Sequence, residues 1–113
     1  MKIYLAIPYK FNPEKSFTVA NIVAAKLMAD GHVVFSPISH SHPVAAHLPE
    51  VLRCNNEFWM KQDLPMVEWC DEMRVVCIGE LGSELIDRSQ GVQDELRHAI
   101  RNKKTIKVIE YYD

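Results

Sequence analysis

The chain has 113 residues, of which 48% are hydrophobic and 25% are charged. These values are typical of one globular domain, so we expect a single domain over residues 1–113. The formal net charge is −2, and no basic stripe is present beyond a few lysines near the end. This charge distribution argues against binding to a nucleic acid polymer.

The cysteines and the first residues indicate the compartment. The three cysteines form no Cys-x-x-Cys pair, and their odd number argues against a disulfide framework. The apolar run that ends at Pro8 is too short for a signal peptide or a membrane span. We therefore expect a cytoplasmic protein with no membrane partner. The small size favours a homodimer or higher homo-oligomer, because a neighbouring subunit could complete a pocket.

The first third of the chain predicts a βαβ unit. Ile3–Ile7 is a continuous apolar run, as expected for a strand that is buried on both faces of a parallel sheet. Asn12 and Pro13 favour a helix start, and Gly31 favours its end. His32–Phe35 is the second predicted strand. Six apolar residues at helical spacing predict the inward face of the helix: Phe17, Ala20, Val23, Ala24, Leu27 and Met28.

The rest of the chain alternates between loops, helices and strands. Its prolines and glycines place the predicted boundaries. The predicted loops are Ser36–Pro49 and Gly79–Arg88, the helices Asn55–Lys61, Asp63–Cys70 and Ser89–Asn102, and the strands Met73–Ile78 and Thr105–Ile109.

This alternation predicts an α/β fold with an open, parallel, three-layer sheet of four to five strands, flavodoxin-like or Rossmann-like. Four strands in the order 2-1-3-4 are the simplest arrangement. Such sheets bind ligands at the carboxyl ends of their strands, near the point where the strand order reverses. The polar residues of this chain cluster in the loops that would lie there, which predicts a pocket at this edge.

The segment from Ser89 to Leu96 is the most informative for chemistry. Ser89 can cap a helix, and Gly91 lets a ligand approach the backbone closely. The free N–H groups of the first turn favour an anion such as phosphate. Glu95 falls at the border of the predicted inward face, which comprises Val92, Leu96, Ala99 and Ile100. From the residues alone, a plain helix cap followed by a solvated glutamate is the commoner interpretation.

Four motifs together resemble the nucleoside 2-deoxyribosyltransferase superfamily. Gly91-Val92-x-x-Glu95 resembles its nucleophile motif, and Tyr4–Tyr9 resembles its opening strand and ligand loop. Asp71, before the third predicted strand, matches an aspartate that family members hold near the deoxyribose. Ser36–Pro43 is similar to a loop of a bacterial and phage branch. The resemblance spans nearly the whole chain and depends on the order and spacing of the motifs.

The resemblance implies an enzyme with Glu95 as nucleophile and Asp71 as a second catalytic residue, which would contact the sugar or orient Glu95. Ser89 resembles the phosphate-binding serine of 2′-deoxynucleoside 5′-monophosphate N-glycosidases, where the transferases often carry an acidic residue. Ser89, Gly91 and Val92 would then bind the 5′-phosphate, and the expected reaction is hydrolysis. One departure is Ile7, which replaces the family's usual glycine before Pro8.

The remaining substrate-binding candidates are Tyr4, Pro8, Tyr9 and His42. The tyrosines would stack on or cover the base, although core packing is the leading interpretation of Tyr4 because it lies within a strand. His42, in a predicted Ser-His-Pro turn, would contact phosphate or assist the leaving base.

Two other functions stay open at this point: base exchange by a transferase, and a nucleotide-binding module without catalysis. The expected partner in each case is a small deoxynucleoside or deoxynucleotide, with no cofactor. No metal is expected either, because structural sites need four ligands at characteristic spacing, which His40, His42, His47 and Cys54 do not have.

Overall fold

The computed structural model describes residues 1–113 as one parallel sheet with helices on both faces. The strands are β1 (Lys2–Ala6), β2 (Val33–Phe35), β3 (Glu72–Ile78) and β4 (Thr105–Tyr111). The helices are α1 (Pro13–Ala29), α2 (Pro37–Ala45), α3 (Glu50–Arg53), α4 (Asn56–Trp69), α5 (Gly82–Arg88) and α6 (Gln90–Arg101).

The sheet has four parallel strands in the order β2-β1-β3-β4. Strand β1 lies between β2 and β3, with Tyr4 opposite both Phe35 and Met73. Strand β3 pairs with β4 along its whole length. The predicted α/β class and strand order are therefore confirmed. The order reverses between β1 and β3, so their carboxyl ends border the crevice where such sheets bind ligands.

Strand β1 is buried on both faces because helices cover the sheet on each side. Ile3 and Leu5 pack with α1, whereas Tyr4 and Ala6 face a second core that includes residues of α4 and α6. This arrangement explains the continuous apolar run in the sequence, since successive strand residues point to opposite faces. Tyr4 is therefore the residue of β1 that brings a polar atom to the α4–α6 side.

The start and end of α1 agree with the prediction. The Asn12 side chain accepts a hydrogen bond from the Lys15 amide at 3.3 Å, and Gly31 follows the helix with φ of +99°. One inward residue was assigned wrongly, because Met28 is 52% exposed. In α6, Ile100 was assigned wrongly in the same way and is 66% exposed. Each directly follows a buried residue, Leu27 or Ala99, and a step of one residue turns the side chain by about 100° around the helix axis.

The predicted loop Ser36–Pro49 is wrong, since most of it forms α2. Pro37 occupies the first turn, where its missing N–H costs nothing. Pro43 lies inside the helix, but α2 ends two residues later at Ala45, so only a short stretch follows the missing hydrogen bond. Packing of α2 on α1 and β1 outweighs the turn signals of this segment.

Two further boundaries differ from the prediction. The two helices expected on either side of Gln62 are one continuous helix, α4, which tolerates Pro65 in its interior. Asn55 caps α4 by accepting a hydrogen bond from the Phe58 amide at 3.1 Å. The predicted loop Gly79–Arg88 also contains a helix, α5. No helix in the structure is long and apolar enough to cross a membrane.

Gly82 begins α5 and is buried against β3. A Cβ atom at this position would lie 2.8 Å from the carbonyl carbon of Cys77, closer than a side-chain carbon can approach backbone. We predict that Gly82→Ala lowers the free energy of unfolding by about 2 kcal/mol, because α5 must shift away from the strand. Urea denaturation would measure this, and an unchanged midpoint would contradict the close approach. Gly91→Ala is the control, because a Cβ atom there would lie no closer than 3.6 Å to its nearest neighbour, Asn56 Oδ1.

Candidate functional site

Glu95 lies in the buried face of α6 and not at its border. It is 5% exposed and shares this face with Val92 and Ala99, three residues before and four residues after it. The spacing places its carboxylate beneath β1, where the Tyr4 hydroxyl donates a hydrogen bond to Oε2. Tyr4 is fully buried and its ring also lies against Phe35, with centroids 5.8 Å apart. Tyr4 is thus both a core residue and the hydrogen-bond partner of Glu95.

The surroundings of Glu95 favour its protonated form. Burial raises the pKa of Glu95 to about 8, and the charges of Asp63 and Asp94 act in the same direction, whereas the Tyr4 hydrogen bond lowers it. Burial and the neighbouring Glu95 also hold the pKa of Tyr4 well above its usual value. A carboxyl group with this pKa exchanges its proton near neutral pH. Perturbed pairs of this kind occur at catalytic sites more often than elsewhere.

Asp63 is the third polar side chain of this cluster, and it was missed in the sequence. It is 7% exposed, and burial raises its pKa to about 7. Its charge raises the pKa values of both Glu95 and Tyr4, so the three groups interact electrostatically. The sequence did contain a signal for it: Asp63 lies four residues before Val67, a spacing that places both side chains on the inward face of α4. A carboxylate on an inward helical face requires a reason other than solvation.

Asp71 does not join this cluster. It is exposed and precedes β3 at the amino edge of the sheet, where its carboxylate accepts a hydrogen bond of 2.8 Å from the Lys2 amide. That hydrogen bond lowers the pKa of Asp71 below its usual value. Glu95 hydrogen-bonds Tyr4 in the interior of β1, and the aspartates whose charges raise its pKa are Asp63 and Asp94, not Asp71. Asp71 ties the starts of β1 and β3 together.

The start of α6 is capped as the sequence predicts. The Ser89 hydroxyl oxygen accepts a hydrogen bond from the Val92 amide at 3.3 Å, so that amide is already occupied. The Val92 side chain is 1% exposed and belongs to the core. Gly91 faces α4, because a Cβ atom there would lie 3.6 Å from Asn56 Oδ1. The amides of Gln90 and Gly91 precede the first intrahelical hydrogen bond and remain open.

Tyr9 and His42 are brought together, but His42 lies in α2 and not in a turn. The Tyr9 hydroxyl is 2.5 Å from His42 Nδ1, and His42 Nε2 is 3.2 Å from Glu14 Oε1. The His42 ring stacks on Phe17, with centroids 4.4 Å apart. Pro8 is buried, and its carbonyl accepts a hydrogen bond of 2.6 Å from the Ser16 hydroxyl. Both ring nitrogens of His42 therefore have protein partners.

Two surface depressions lie near these elements, and the side chains of Tyr4, Asp63 and Glu95 line neither of them. A crevice of about 60 Å³ opens at the carboxyl ends of β1 and β3, where Pro8, Ile78 and Gly82 line it. A larger cleft of about 310 Å³ lies between the outer sides of α4 and α6, lined by residues such as Met60 and Arg97. The smaller crevice is the one at the reversal point of the sheet, so strand topology favours it as the ligand entrance over the larger cleft.

Comparisons with known proteins agree with this geometry. The family model described as "Domain of unknown function (DUF1937)" matches residues 1–111. A search of curated proteins by sequence found no match. A 2-deoxyribosyltransferase from the psychrotolerant bacterium Bacillus psychrosaccharolyticus has a similar structure, with a TM-score of 0.66 and 26% identity over 97% of this chain and 72% of that one.

A 2-deoxyribosyltransferase from Leishmania mexicana is also similar, with a TM-score of 0.62 and 20% identity over 96% of this chain and 63% of that one. The match to the Leishmania mexicana protein shows the fold alone, and this chain spans less than two thirds of that protein's length. The predicted resemblance to the deoxyribosyltransferase superfamily is confirmed, and the match to the Bacillus psychrosaccharolyticus protein supports an enzyme of this kind. The chain thus belongs to the DUF1937 family, within the nucleoside 2-deoxyribosyltransferase-like superfamily.

Proposed function

We propose that this protein hydrolyses the N-glycosidic bond of a 2′-deoxynucleoside 5′-monophosphate, with Glu95 as the nucleophile. The observation that carries the proposal is the buried Glu95 carboxyl group, hydrogen-bonded by Tyr4 and close to a second buried carboxyl group, Asp63. A protein keeps two acidic side chains in its interior at a cost to stability, which favours a catalytic role over a structural one.

Glu95 would act on the anomeric carbon of the sugar. Its carboxylate forms a bond to C1′ while the C1′–N bond breaks, and the bonding electron pair leaves with the base, which takes up a proton from water. A second water molecule then attacks C1′ and releases Glu95, and its proton passes to the hydroxide left by the first water, so that the products are the free base and deoxyribose 5-phosphate. The positive charge that develops on the sugar favours the ionised form of Glu95 and offsets the burial that raises its pKa.

Tyr4 and Asp63 would prepare Glu95 and the sugar for this step. The Tyr4 hydroxyl fixes one carboxylate oxygen, so the other is free to face the anomeric carbon. Asp63 would accept a hydrogen bond from a sugar hydroxyl, the role that the sequence suggested for Asp71. We assign it to Asp63 because its charge acts on Glu95, whereas Asp71 is exposed at the opposite edge of the sheet.

The 5′-phosphate would lie at the start of α6. The open amides of Gln90 and Gly91 and the positive end of the helix dipole favour an anion there. The Ser89 hydroxyl can donate to a phosphate oxygen while its oxygen still accepts from the Val92 amide. Val92 contributes through packing of its side chain, since its amide is occupied.

Base exchange by a transferase is a second candidate, because both similar structures are 2-deoxyribosyltransferases. The two reactions share the covalent step at Glu95 and differ only in whether water or an acceptor base attacks C1′. Ser89 favours the phosphate-bearing substrate and therefore the hydrolase.

Chromatography of free base tests the proposal. The protein would be incubated with each deoxynucleoside and each deoxynucleoside monophosphate, with and without an acceptor base. We expect release of base from a monophosphate without an acceptor. Release that requires an acceptor base would assign the transferase reaction, and no release from any substrate would overturn the proposal.

A further inference from the structure

A second polar cluster lies on the other side of β1, between the β1–α1 loop, α1 and α2. It consists of Tyr9, Glu14, Phe17 and His42. The His42 ring is stacked on Phe17, its Nδ1 is 2.5 Å from the Tyr9 hydroxyl and its Nε2 is 3.2 Å from Glu14 Oε1. The His42 side chain is only 18% exposed, so the ring is held on three sides. None of these contacts is needed to cap a helix or to pair a strand.

The hydrogen-bond partners of His42 determine where its proton lies. A carboxylate oxygen of Glu14 can only accept, so Nε2 must carry the hydrogen. In the neutral imidazole, Nδ1 then carries no hydrogen and can only accept, so the Tyr9 hydroxyl must donate to it. The Tyr9 oxygen is left with lone pairs alone for any other partner. Burial, with Glu14 nearby, raises the pKa of Tyr9, so Tyr9 keeps its hydrogen for this bond.

This cluster lies on the side of β1 where we expect the base of the proposed substrate. The phosphate would lie at the start of α6, which follows β3, and the sugar would lie against Tyr4 and Glu95 beneath β1. Because the sheet order is β2-β1-β3, a substrate that continues in the same direction past the carboxyl end of β1 would bring its base to the β2 edge, on the α1 side of the sheet. Tyr9 follows the carboxyl end of β1 and turns to that side, toward α2.

We propose that His42 is a positioning residue that fixes the Tyr9 oxygen as a hydrogen-bond acceptor for an N–H group of the nucleobase. This inference rests on the proposed function. The donor that we assign is the exocyclic amino group of the base, so Tyr9 would be a specificity-determining residue that favours bases with such a group. It also replaces the direct substrate contact that the sequence suggested for His42, since both its ring nitrogens are already engaged.

The test compares substrates that differ by one amino group. Purine 2′-deoxyribonucleoside 5′-monophosphate lacks only the 6-amino group of deoxyadenosine monophosphate, and the pyrimidin-2-one nucleotide lacks only the 4-amino group of deoxycytidine monophosphate. We expect the unaltered protein to prefer the amino-bearing member of the pair it accepts by about five-fold in kcat/KM, mostly through KM, as one neutral hydrogen bond allows. Tyr9→Phe and His42→Phe should each bring this ratio close to one.

A double-mutant cycle separates positioning from general damage to the fold. If His42 acts through Tyr9, the double variant should discriminate no worse than either single variant. Glu14→Leu removes the acceptor that fixes the His42 proton and should give the same loss. Because the Glu14 side chain is 84% exposed, Glu14→Leu should fold and can replace His42→Phe in the test if that variant does not fold. Tyr112→Phe and His47→Phe, at exposed positions, are the matched controls.

The outcomes distinguish this inference from the function on which it rests. If the unaltered protein releases no base from any substrate, the proposed function fails and the inference fails with it. If base is released but Tyr9→Phe keeps the preference, or if the effects of Tyr9→Phe and His42→Phe simply add, the inference alone is overturned.

Discussion

Replacing Glu95 by glutamine should reduce kcat by at least about a thousandfold, because an amide oxygen is too weak a nucleophile to capture the anomeric carbon. Glutamine has the same shape as glutamate, and its carbonyl oxygen can still accept the hydrogen bond from Tyr4. The protein should therefore stay folded and still bind substrate. Measurement of base release under single-turnover conditions, beside circular dichroism of the variant, checks this expectation.

The controls separate loss of the nucleophile from loss of a charge. Glu110→Gln makes the same chemical change at an exposed position of β4 and should leave turnover unaltered. Glu95→Ala leaves a cavity in which added formate can replace the missing carboxylate, so partial rescue by formate is expected. A Glu95→Gln variant that releases base at the rate of the unaltered protein would remove Glu95 from the reaction.

Most of the fold could be predicted from the sequence because its signals are local. The apolar run of β1, the Asn12 cap and Gly31 each specify their own element. The α/β class and the order 2-1-3-4 then follow from the alternation of elements. Helices α2 and α5 could not be predicted in this way. Their proline and glycine residues favour turns, and only packing against α1 and β3 makes the helices stable.

The candidate site was predictable where a motif marks it and not elsewhere. Gly91 and Glu95 are marked by their spacing, and the structure places Glu95 deeper than the border position that helical periodicity gave. Asp63 was missed because Pro65 suggested a helix start, which placed Asp63 at the first turn of a new helix and not on an inward face. In the continuous α4 the same residue lies on the inward face. Asp71 is an aspartate, as the motif requires, but it lies at the amino edge of the sheet, away from Glu95.

The same burial that prepares Glu95 for catalysis should make the folded protein sensitive to alkaline pH. Its pKa is about 8 in the folded protein, against an ordinary value of 4.5, so the folded state binds more protons than the unfolded state between these pH values. The free energy of unfolding must then fall as the pH rises through this window. Asp63, with a pKa raised to about 7, acts in the same direction over a lower range.

We predict that Glu95→Gln raises the free energy of unfolding at pH 8.5 by about 4 kcal/mol and changes it little at pH 4.5, since glutamine needs no proton to stay neutral. Urea denaturation at the two pH values measures the difference. Glu110→Gln, on the exposed side of β4, should follow the pH dependence of the unaltered protein. If Glu95→Gln follows it as well, the Glu95 carboxylate is not destabilised by burial. The stability cost of a buried carboxylate would then have to come from Asp63. Urea denaturation of Asp63→Asn at the same two pH values measures that cost.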